Sequence, residues 1–156
     1  MANGPTVNLI SGHLVACYTQ QCDIFQDGEW RFLQNTSYYR TQPSSAAMDN
    51  SFLLIGGLVH GAPTNTTELI PIDGSPSCPG PIMVNHGQLH CTIQVSADVI
   101  VVSGGSGTGA EVFDRVTEYQ LSPANQERPL TKMLGPRCWH ACAVYQNAAG
   151  QKVQTS

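Results

Sequence analysis

The chain has 156 residues and a formal net charge of -4 at pH 7, and only 12% of its residues are charged. Its 7 basic residues form no run or patch, which excludes a nucleic-acid-binding surface of the usual basic kind. No apolar stretch approaches the about 18 residues that a membrane span needs, so we expect no transmembrane segment.

The N-terminal part of the sequence predicts one hairpin. Residues 1–16 show no clear pattern, and we assign them no element. Residues 17–43 contain two short apolar–polar alternations on either side of Asp27-Gly28, a dipeptide typical of tight hairpin turns. We interpret this segment as a partial unit that supplies the third and fourth strands of a four-stranded sheet.

Residues 44–89 and 90–139 each predict a complete four-stranded unit, and residues 140–156 restart the pattern. The run Val99–Val102 is continuously β-branched, which is typical of a strand buried on both faces. Helical periodicity is absent, so the predicted fold class is all-β. The predicted strands of the two complete units are 44–48, 52–55, 66–72 and 82–84, and then 89–95, 99–102, 116–121 and 129–133.

The units repeat with a period of about fifty residues, which is a mark of repeat architectures. Glu68 and His90 recur as Glu118 and His140 with the same shift. An apolar strand that ends in a glycine pair also recurs, first at Gly56-Gly57 and then at Gly104-Gly105.

This ordered set of residues resembles the kelch repeat, the four-stranded antiparallel blade of one group of β-propellers. The resemblance covers about residues 17–154 and implies blades arranged side by side around an axis. In that family an arginine and a histidine open strand one, a glycine pair follows strand two, an acidic residue and a tyrosine lie in strand three, and a tryptophan lies in strand four. The matching residues are Arg137, His140, Gly56, Gly57, Gly104, Gly105, Glu118, Tyr119 and Trp30.

Propellers usually have 4–8 blades, whereas this chain supplies roughly three, so the predicted ring is incomplete. The favoured interpretation is that the chain is part of a larger propeller. The alternative is self-association, in which two chains meet through their unclosed blade edges to complete one ring.

The resemblance implies a non-catalytic binding module that recognises a protein partner through the loops between strands two and three. These loops are residues 58–65 and 106–115, in which His60, Glu111 and Phe113 are the candidate binding side chains. Two alternatives stay open. One is an extracellular carbohydrate-binding or adhesive module, and the other is a fragment of a copper enzyme of the galactose-oxidase kind.

No catalytic, cofactor or metal site is predicted. Cys138, His140 and Cys142 alternate and would share one face of a strand, as zinc ligands can, but a repeat position and buried or disulfide-bonded cysteines explain them better. The glycine-rich run 104–109 lacks the lysine and the following helix of a phosphate-binding loop.

The cysteines and two glycosylation sequons bear on the compartment. Cys17 and Cys22 flank a short turn and are a candidate disulfide, while 6 cysteines leave the full set of pairings open. The sequons make Asn35 and Asn65 candidate glycosylation sites. Together these features favour an extracellular setting over a cytoplasmic one.

Overall fold

The computed structural model describes residues 5–83, 87–121, 126–146 and 152–155. These residues confirm the all-β prediction, since they contain no α-helix and only a short 3₁₀ turn at Thr108–Ala110. These residues contain no helix that is long and apolar enough to cross a membrane. In chain order the strands are β1 (Thr6–Ile10), β2 (His13–Gln26), β3 (Glu29–Thr41), β4 (Ser44–Met48), β5 (Ser51–Ile55), β6 (Leu58–Val59), β7 (Ala62–Pro63), β8 (Thr67–Pro71), β9 (Cys78–Pro79), β10 (Cys91–Ser96), β11 (Val99–Ser103), β12 (Val116–Gln120), β13 (Gln126–Pro129), β14 (Ala143–Gln146) and β15 (Lys152–Thr155).

The strands pair antiparallel in three larger sheets and a two-stranded one, and no sheet closes on itself. The N-terminal sheet has the order β1-β2-β3-β6-β7, and the C-terminal sheet consists of β14 and β15. The middle sheet has the order β4-β5-β8-β9 and the third sheet the order β10-β11-β12-β13. The middle and third sheets are therefore meanders of the same design.

The fourth strands of these two meanders lie elsewhere than the sequence pattern predicts. The predicted strand 129–133 shares only Pro129 with the observed strand, because β13 begins three residues earlier, at Gln126. Within β13, Arg128 pairs with Glu118 across the ladder and forms an ion pair of 2.8 Å. Pro129 ends that strand, since proline has no N–H to donate to a ladder. The prediction of 82–84 is wrong for its described residues 82 and 83, because β9 lies at Cys78–Pro79; residue 84 lies outside the described residues.

The N-terminal sheet contains a strand that the sequence pattern missed and a strand that folds back on itself. β1 lies in the segment without a prediction and pairs with the first half of β2. The Cα atoms of Cys17 and Cys22 are 4.1 Å apart, whereas five extended residues would span about 17 Å. β2 therefore doubles back near Thr19, whose φ is 52°. Its second arm pairs with β3 across the Asp27-Gly28 turn, which confirms the predicted hairpin.

Two hydrophobic clusters hold the sheets together, and β5 belongs to both. Phe52 and Leu54 face the N-terminal sheet, while Leu53 and Ile55 face the third sheet, so this strand is buried on both sides. The first cluster also contains Ile10, Val15, Cys17, Cys22, Ile24 and Ile70. The second also contains Ala46, Met83, Ile100, Val102 and Tyr119.

The first strands of successive sheets lie next to one another, with β1 against β4, β4 against β10, and β10 against β14. Polar side chains link them: the Thr6 and Ser45 hydroxyls are hydrogen-bonded, and Ser44 Oγ lies 2.6 Å from Thr92 Oγ1. Because the sheets share this alignment, the connections from β5 to β8 and from β11 to β12 leave the middle and third sheets at the same edge.

Candidate functional site

The two candidate loops each begin at a glycine pair that requires glycine. Gly56 and Gly57 have φ values of 58° and 91°, and Gly104 and Gly105 have φ values of 62° and 98°. Backbone in this left-handed region strongly favours glycine. A Cβ atom on Gly56 would lie 2.4 Å from a backbone oxygen, and one on Gly104 would lie 2.3 Å from another. The pairs therefore let the chain turn where no side chain fits.

Equivalent backbone hydrogen bonds fix both glycine pairs. In each pair, the N–H of the first glycine donates to the carbonyl oxygen of the residue just before the third strand of the same meander. The N–H of the second glycine donates to a carbonyl oxygen in the segment that leads to the next sheet. The bonds run from Gly56 to Thr66 (3.0 Å) and Gly57 to Gly87 (2.7 Å), and from Gly104 to Arg115 (2.9 Å) and Gly105 to Arg137 (3.0 Å). The two loops thus start from the same position and direction in successive sheets.

The 58–65 loop is a small hairpin, a detail that the sequence pattern did not predict. β6 and β7 pair across a turn at His60-Gly61, whose φ values of 51° and 80° are those of a type I′ turn. β6 also pairs with the end of β3, with Arg40 opposite Val59. His60 is exposed at the tip of this hairpin. The hairpin follows β5 of the middle sheet and pairs with β3 of the N-terminal sheet, so it connects the two sheets.

The 106–115 loop is held by bridges to the segment before β10. Ser106 and Gln88 exchange two backbone hydrogen bonds of 2.8 and 3.1 Å, and Ser106 also bridges to Val112. The 3₁₀ turn at Thr108–Ala110 lies at the tip of this loop. Glu111 is exposed, but Phe113 is buried, with the Arg115 guanidinium 3.9 Å above its ring centroid. Of the two candidate side chains in this loop, only Glu111 faces solvent.

Both loops line one shallow depression of about 360 Å³. Gln88 forms part of its wall, and the Oε1 atom of that side chain is buried without a hydrogen-bond partner among the described residues. The sequence gives no signal for Gln88, because only the bridge to Ser106 places it here. The other lining residues are Leu58, Gly61, Ala62 and Pro63 of the first loop and Ser106, Gly107, Thr108, Gly109 and Ala110 of the second.

A second depression of about 480 Å³ lies between the 106–115 loop and the strands that follow it. Glu111, Phe113 and Arg115 line it from the loop, and Glu127 and Lys132 line it from the segment around β13. Lys132 forms an ion pair of 3.1 Å with an aspartate of the same wall, Asp114. Neither Glu111 nor Glu127 forms an ion pair within the described part of the chain, so two carboxylates stay available for a cation.

Two buried charged residues support the base of the 58–65 loop. Arg40 is 1% exposed and donates from Nη1 to the carbonyl oxygens of Gly56 (2.6 Å) and Thr66 (3.1 Å). Burial lowers the pKa of this guanidinium, and the nearby Glu68 carboxylate opposes that shift. Glu68 itself accepts hydrogen bonds from the N–H and hydroxyl of Ser37 at 2.7 and 2.8 Å. These contacts between the N-terminal and middle sheets leave no local pattern in the sequence.

The remaining repeat-motif residues make contacts within the protein. Tyr119 is 1% exposed between the middle and third sheets, and burial raises its pKa well above the usual value. Glu118 pairs with Arg128, and His140 Nε2 lies 3.0 Å from Ser103 Oγ. Trp30 is 51% exposed and contacts Phe25, with ring centroids 5.3 Å apart.

The structure contains two disulfides among the described residues. One joins Cys17 to Cys22, and the other, which the sequence did not single out, joins Cys91 to Cys142. Cys142 is therefore no free thiol, and the described residues contain no cluster of three or more His, Cys, Asp or Glu side chains placed to share a metal ion. Asn35 and Asn65 are both exposed, as a glycan acceptor must be; their glycosylation stays a prediction.

Comparison with models of known protein families gives no match for this chain. Comparison with curated proteins gives none either. The function is therefore argued from the loops and their geometry.

Proposed function

We propose that the protein is a non-catalytic kelch-type binding module, an incomplete β-propeller that is part of a larger one, which recognises a protein partner through its 58–65 and 106–115 loops. The observation that carries the proposal is the equivalence of these loops. Each follows a glycine pair held by the same backbone hydrogen bonds, and both line one depression. Recognition through loops on a rigid scaffold is common in β-proteins.

The kelch-type interpretation draws support from the repeated meanders. The middle and third sheets have the same strand order, and their first strands lie next to each other. Each glycine pair also lies beside a histidine of the next unit: a Cβ on Gly56 would lie 2.6 Å from His90 Cε1, and one on Gly104 would lie 2.6 Å from His140 Cε1. Two copies of one detailed arrangement favour a repeat architecture over a coincidence of composition.

The loop surface favours a partner with hydrogen-bond donors and positive charge. Glu111 and Glu127 offer carboxylates at the second depression. Small residues form most of the lining of the first depression, which suits an extended peptide segment better than a bulky side chain. A partner with lysine or arginine near its contact segment satisfies these groups.

The proposal is tested with a photoreactive amino acid placed at His60 or Val112 on the loop edge. A control places it at Ser75, which follows β8 and so lies at the opposite end of that strand. We expect both loop positions, and not the control position, to cross-link the same protein. The purified partner is then titrated by calorimetry against Glu111→Gln and against Asp73→Asn, which removes one carboxylate from the opposite edge.

A partner at the loop edge should bind Glu111→Gln about 10-fold more weakly and bind Asp73→Asn like the wild type. Equal binding to both variants contradicts the loop assignment. Cross-links at Ser75 alone, or turnover of a substrate by the purified chain, contradict the proposed function as a whole.

A further inference from the structure

The outward face of the N-terminal sheet is apolar and uncovered. Residues that pair directly across antiparallel strands share a face, and Val7 pairs with Ala16, Leu9 with Leu14, and Phe25 with Trp30. The opposite face of the same strands carries the first hydrophobic cluster. We define the outer face as Val7, Leu9, Leu14, Tyr18, Asp23, Phe25, Trp30 and Phe32; Ala16 lies on the same side but is only 8% exposed.

Exposure on this face is large for apolar side chains. Leu9 is 63% exposed, Phe32 61%, Trp30 51% and Val7 47%. Aromatic side chains have roughly 150–250 Å² of surface each, so a half-exposed ring contributes on the order of 100 Å². Summed over the face, the exposed apolar area is about 600 Å², at the upper end of the largest patch on a typical monomer. A surface of this kind marks a contact site.

The face of the third sheet that points away from the middle sheet is not exposed like the outer face of the N-terminal sheet. Val101 there is 3% exposed, and Ser103 is fully buried. Cys91 on the same side is disulfide-bonded to Cys142, and Ser103 contacts His140, so the segment after β13 covers this side. The described chain thus leaves one broad apolar sheet face uncovered. In the larger propeller proposed above, a neighbouring blade would compete for this face, and a second copy offers it its own counterpart.

We propose that two copies of the chain associate through their outer faces, packed sheet against sheet. Aligned sheets pack face to face about 10 Å apart with interdigitated side chains. Two faces of about 600 Å² bury about 1,200 Å² of apolar area, which reaches the lower limit of a stable interface before its polar rim is counted. An isologous contact of this kind stops at a dimer.

The polar groups on the outer face are hydrogen-bonded to one another. Tyr18 donates its hydroxyl proton to Asp23 at 2.8 Å, and Gln21 donates to the other oxygen of the same carboxylate at 2.7 Å. These hydrogen bonds lower the cost of desolvating the Asp23 carboxylate, which a dimer still has to offset with its apolar contact. The 58–65 hairpin forms the opposite edge of this sheet from β1, and neither loop contributes a residue to the outer face, so a dimer presents two copies of the loop site.

Sedimentation velocity of the full chain over a range of concentrations tests the dimer. Leu9→Lys places a charge in the contact of both copies, while Leu134→Lys changes an equally apolar, fully exposed residue elsewhere. We expect the wild type and Leu134→Lys to dimerise alike, and Leu9→Lys to weaken the dimer about 30-fold or more. Trp30→Ser against Trp139→Ser repeats the comparison with the two tryptophans.

A wild-type chain that stays monomeric at about 100 μM overturns the proposal, and so does equal weakening by Leu9→Lys and Leu134→Lys. Growth beyond a dimer overturns it too, because that result indicates end-to-end or edge pairing. Circular dichroism shows whether Leu9→Lys keeps the wild-type fold. If it does not, Phe32→Ser replaces it, with protection of Trp30 from a fluorescence quencher in the wild type as a second readout of contact.

Discussion

Ser103 and His140 join the third sheet to the segment that follows it. The hydroxyl of Ser103 is fully buried and lies 3.0 Å from Nε2 of His140. Burial lowers the pKa of His140 below its usual value of 6.5, and the positive charge of Arg137 lowers it further. The folded protein therefore favours the neutral imidazole, whereas the unfolded chain protonates it at the ordinary pH.

The first prediction is a loss of stability in mild acid. Because the folded pKa of His140 is depressed, the unfolded state binds more protons as the pH falls below 6.5, and the free energy of unfolding decreases until the folded pKa is passed. Urea unfolding at pH 7.5, 6.5 and 5.5 measures this decline. His140→Gln should flatten it, while His60→Gln should retain it, since His60 is exposed and leaves the Ser103 contact intact. A decline unchanged in His140→Gln contradicts the assignment.

The second prediction concerns the glycine pairs. A Cβ atom on Gly104 would lie 2.3 Å from the Arg137 carbonyl oxygen at a φ of 62°. Gly104→Ala should lower the free energy of unfolding by about 3 kcal/mol, from the left-handed backbone together with the overlap. Gly109→Ala is the matched control, because its φ is 72° and no atom lies within 4 Å of the added carbon. Its cost should be about 1 kcal/mol. Equal costs in denaturant titrations would show that the close approach is not real.

At the scale of the elements, the two disulfides close loops of different length. Cys17 and Cys22 are 5 residues apart and clamp the bend of β2. Cys91 and Cys142 are 51 residues apart and fasten β10 to the segment before β14. A cross-link restricts the unfolded chain more when the loop is longer.

The third prediction is therefore unequal loss on removal of each bridge. Replacing both Cys91 and Cys142 by serine should cost about 4 kcal/mol, and replacing Cys17 and Cys22 should cost about 2 kcal/mol in the same chain-entropy treatment. Guanidinium titration of protein made in an oxidising compartment gives both values, and mass spectrometry after alkylation gives the pairing. A larger loss for the short bridge would contradict an entropic origin and point to its burial in the first cluster.

The elements also show how far sequence patterns reach. Val99–Val102 is recognisable because β-branched residues on a doubly buried strand form a continuous run. β13 is not recognisable from the sequence, because all of its residues are exposed and only its ladder with β12 makes it a strand. β1 alternates, but its apolar Val7 and Leu9 face outward, so the pattern carries no information about a core.

Some features of the candidate site can likewise be predicted from the sequence, and others cannot. Glycine pairs locate both loops from sequence, because a required backbone conformation limits the residue type. The burial of Phe113 beneath Arg115 depends on the course of the whole loop. The contact of Arg40 with Gly56 joins two sheets, and the choice of Cys91 as partner of Cys142 depends on the fold of about fifty intervening residues. These contacts follow from tertiary packing and leave no local signal.

At the scale of the whole molecule, the middle sheet couples its neighbours. Alternate side chains of β5 belong to the two hydrophobic clusters, so neither cluster persists when this strand is lost. Arg40 and Glu68 add polar contacts between the N-terminal and middle sheets. The arrangement differs from a string of independent units, in which each sheet would bury its own core.

The last prediction is that the sheets unfold together. The chain has 2 tryptophans, Trp30 in the N-terminal sheet and Trp139 beyond the third sheet. The backbone N–H of Trp139 donates to the Leu89 carbonyl oxygen at 3.2 Å. Trp30→Phe and Trp139→Phe each leave one reporter at one end of the molecule. In urea titrations at low protein concentration, each reporter should share one midpoint with the circular dichroism signal of its own variant, because loss of either end exposes a face of β5. Separate midpoints within one variant would show that an end sheet unfolds alone, which shared burial of Phe52 to Ile55 does not allow.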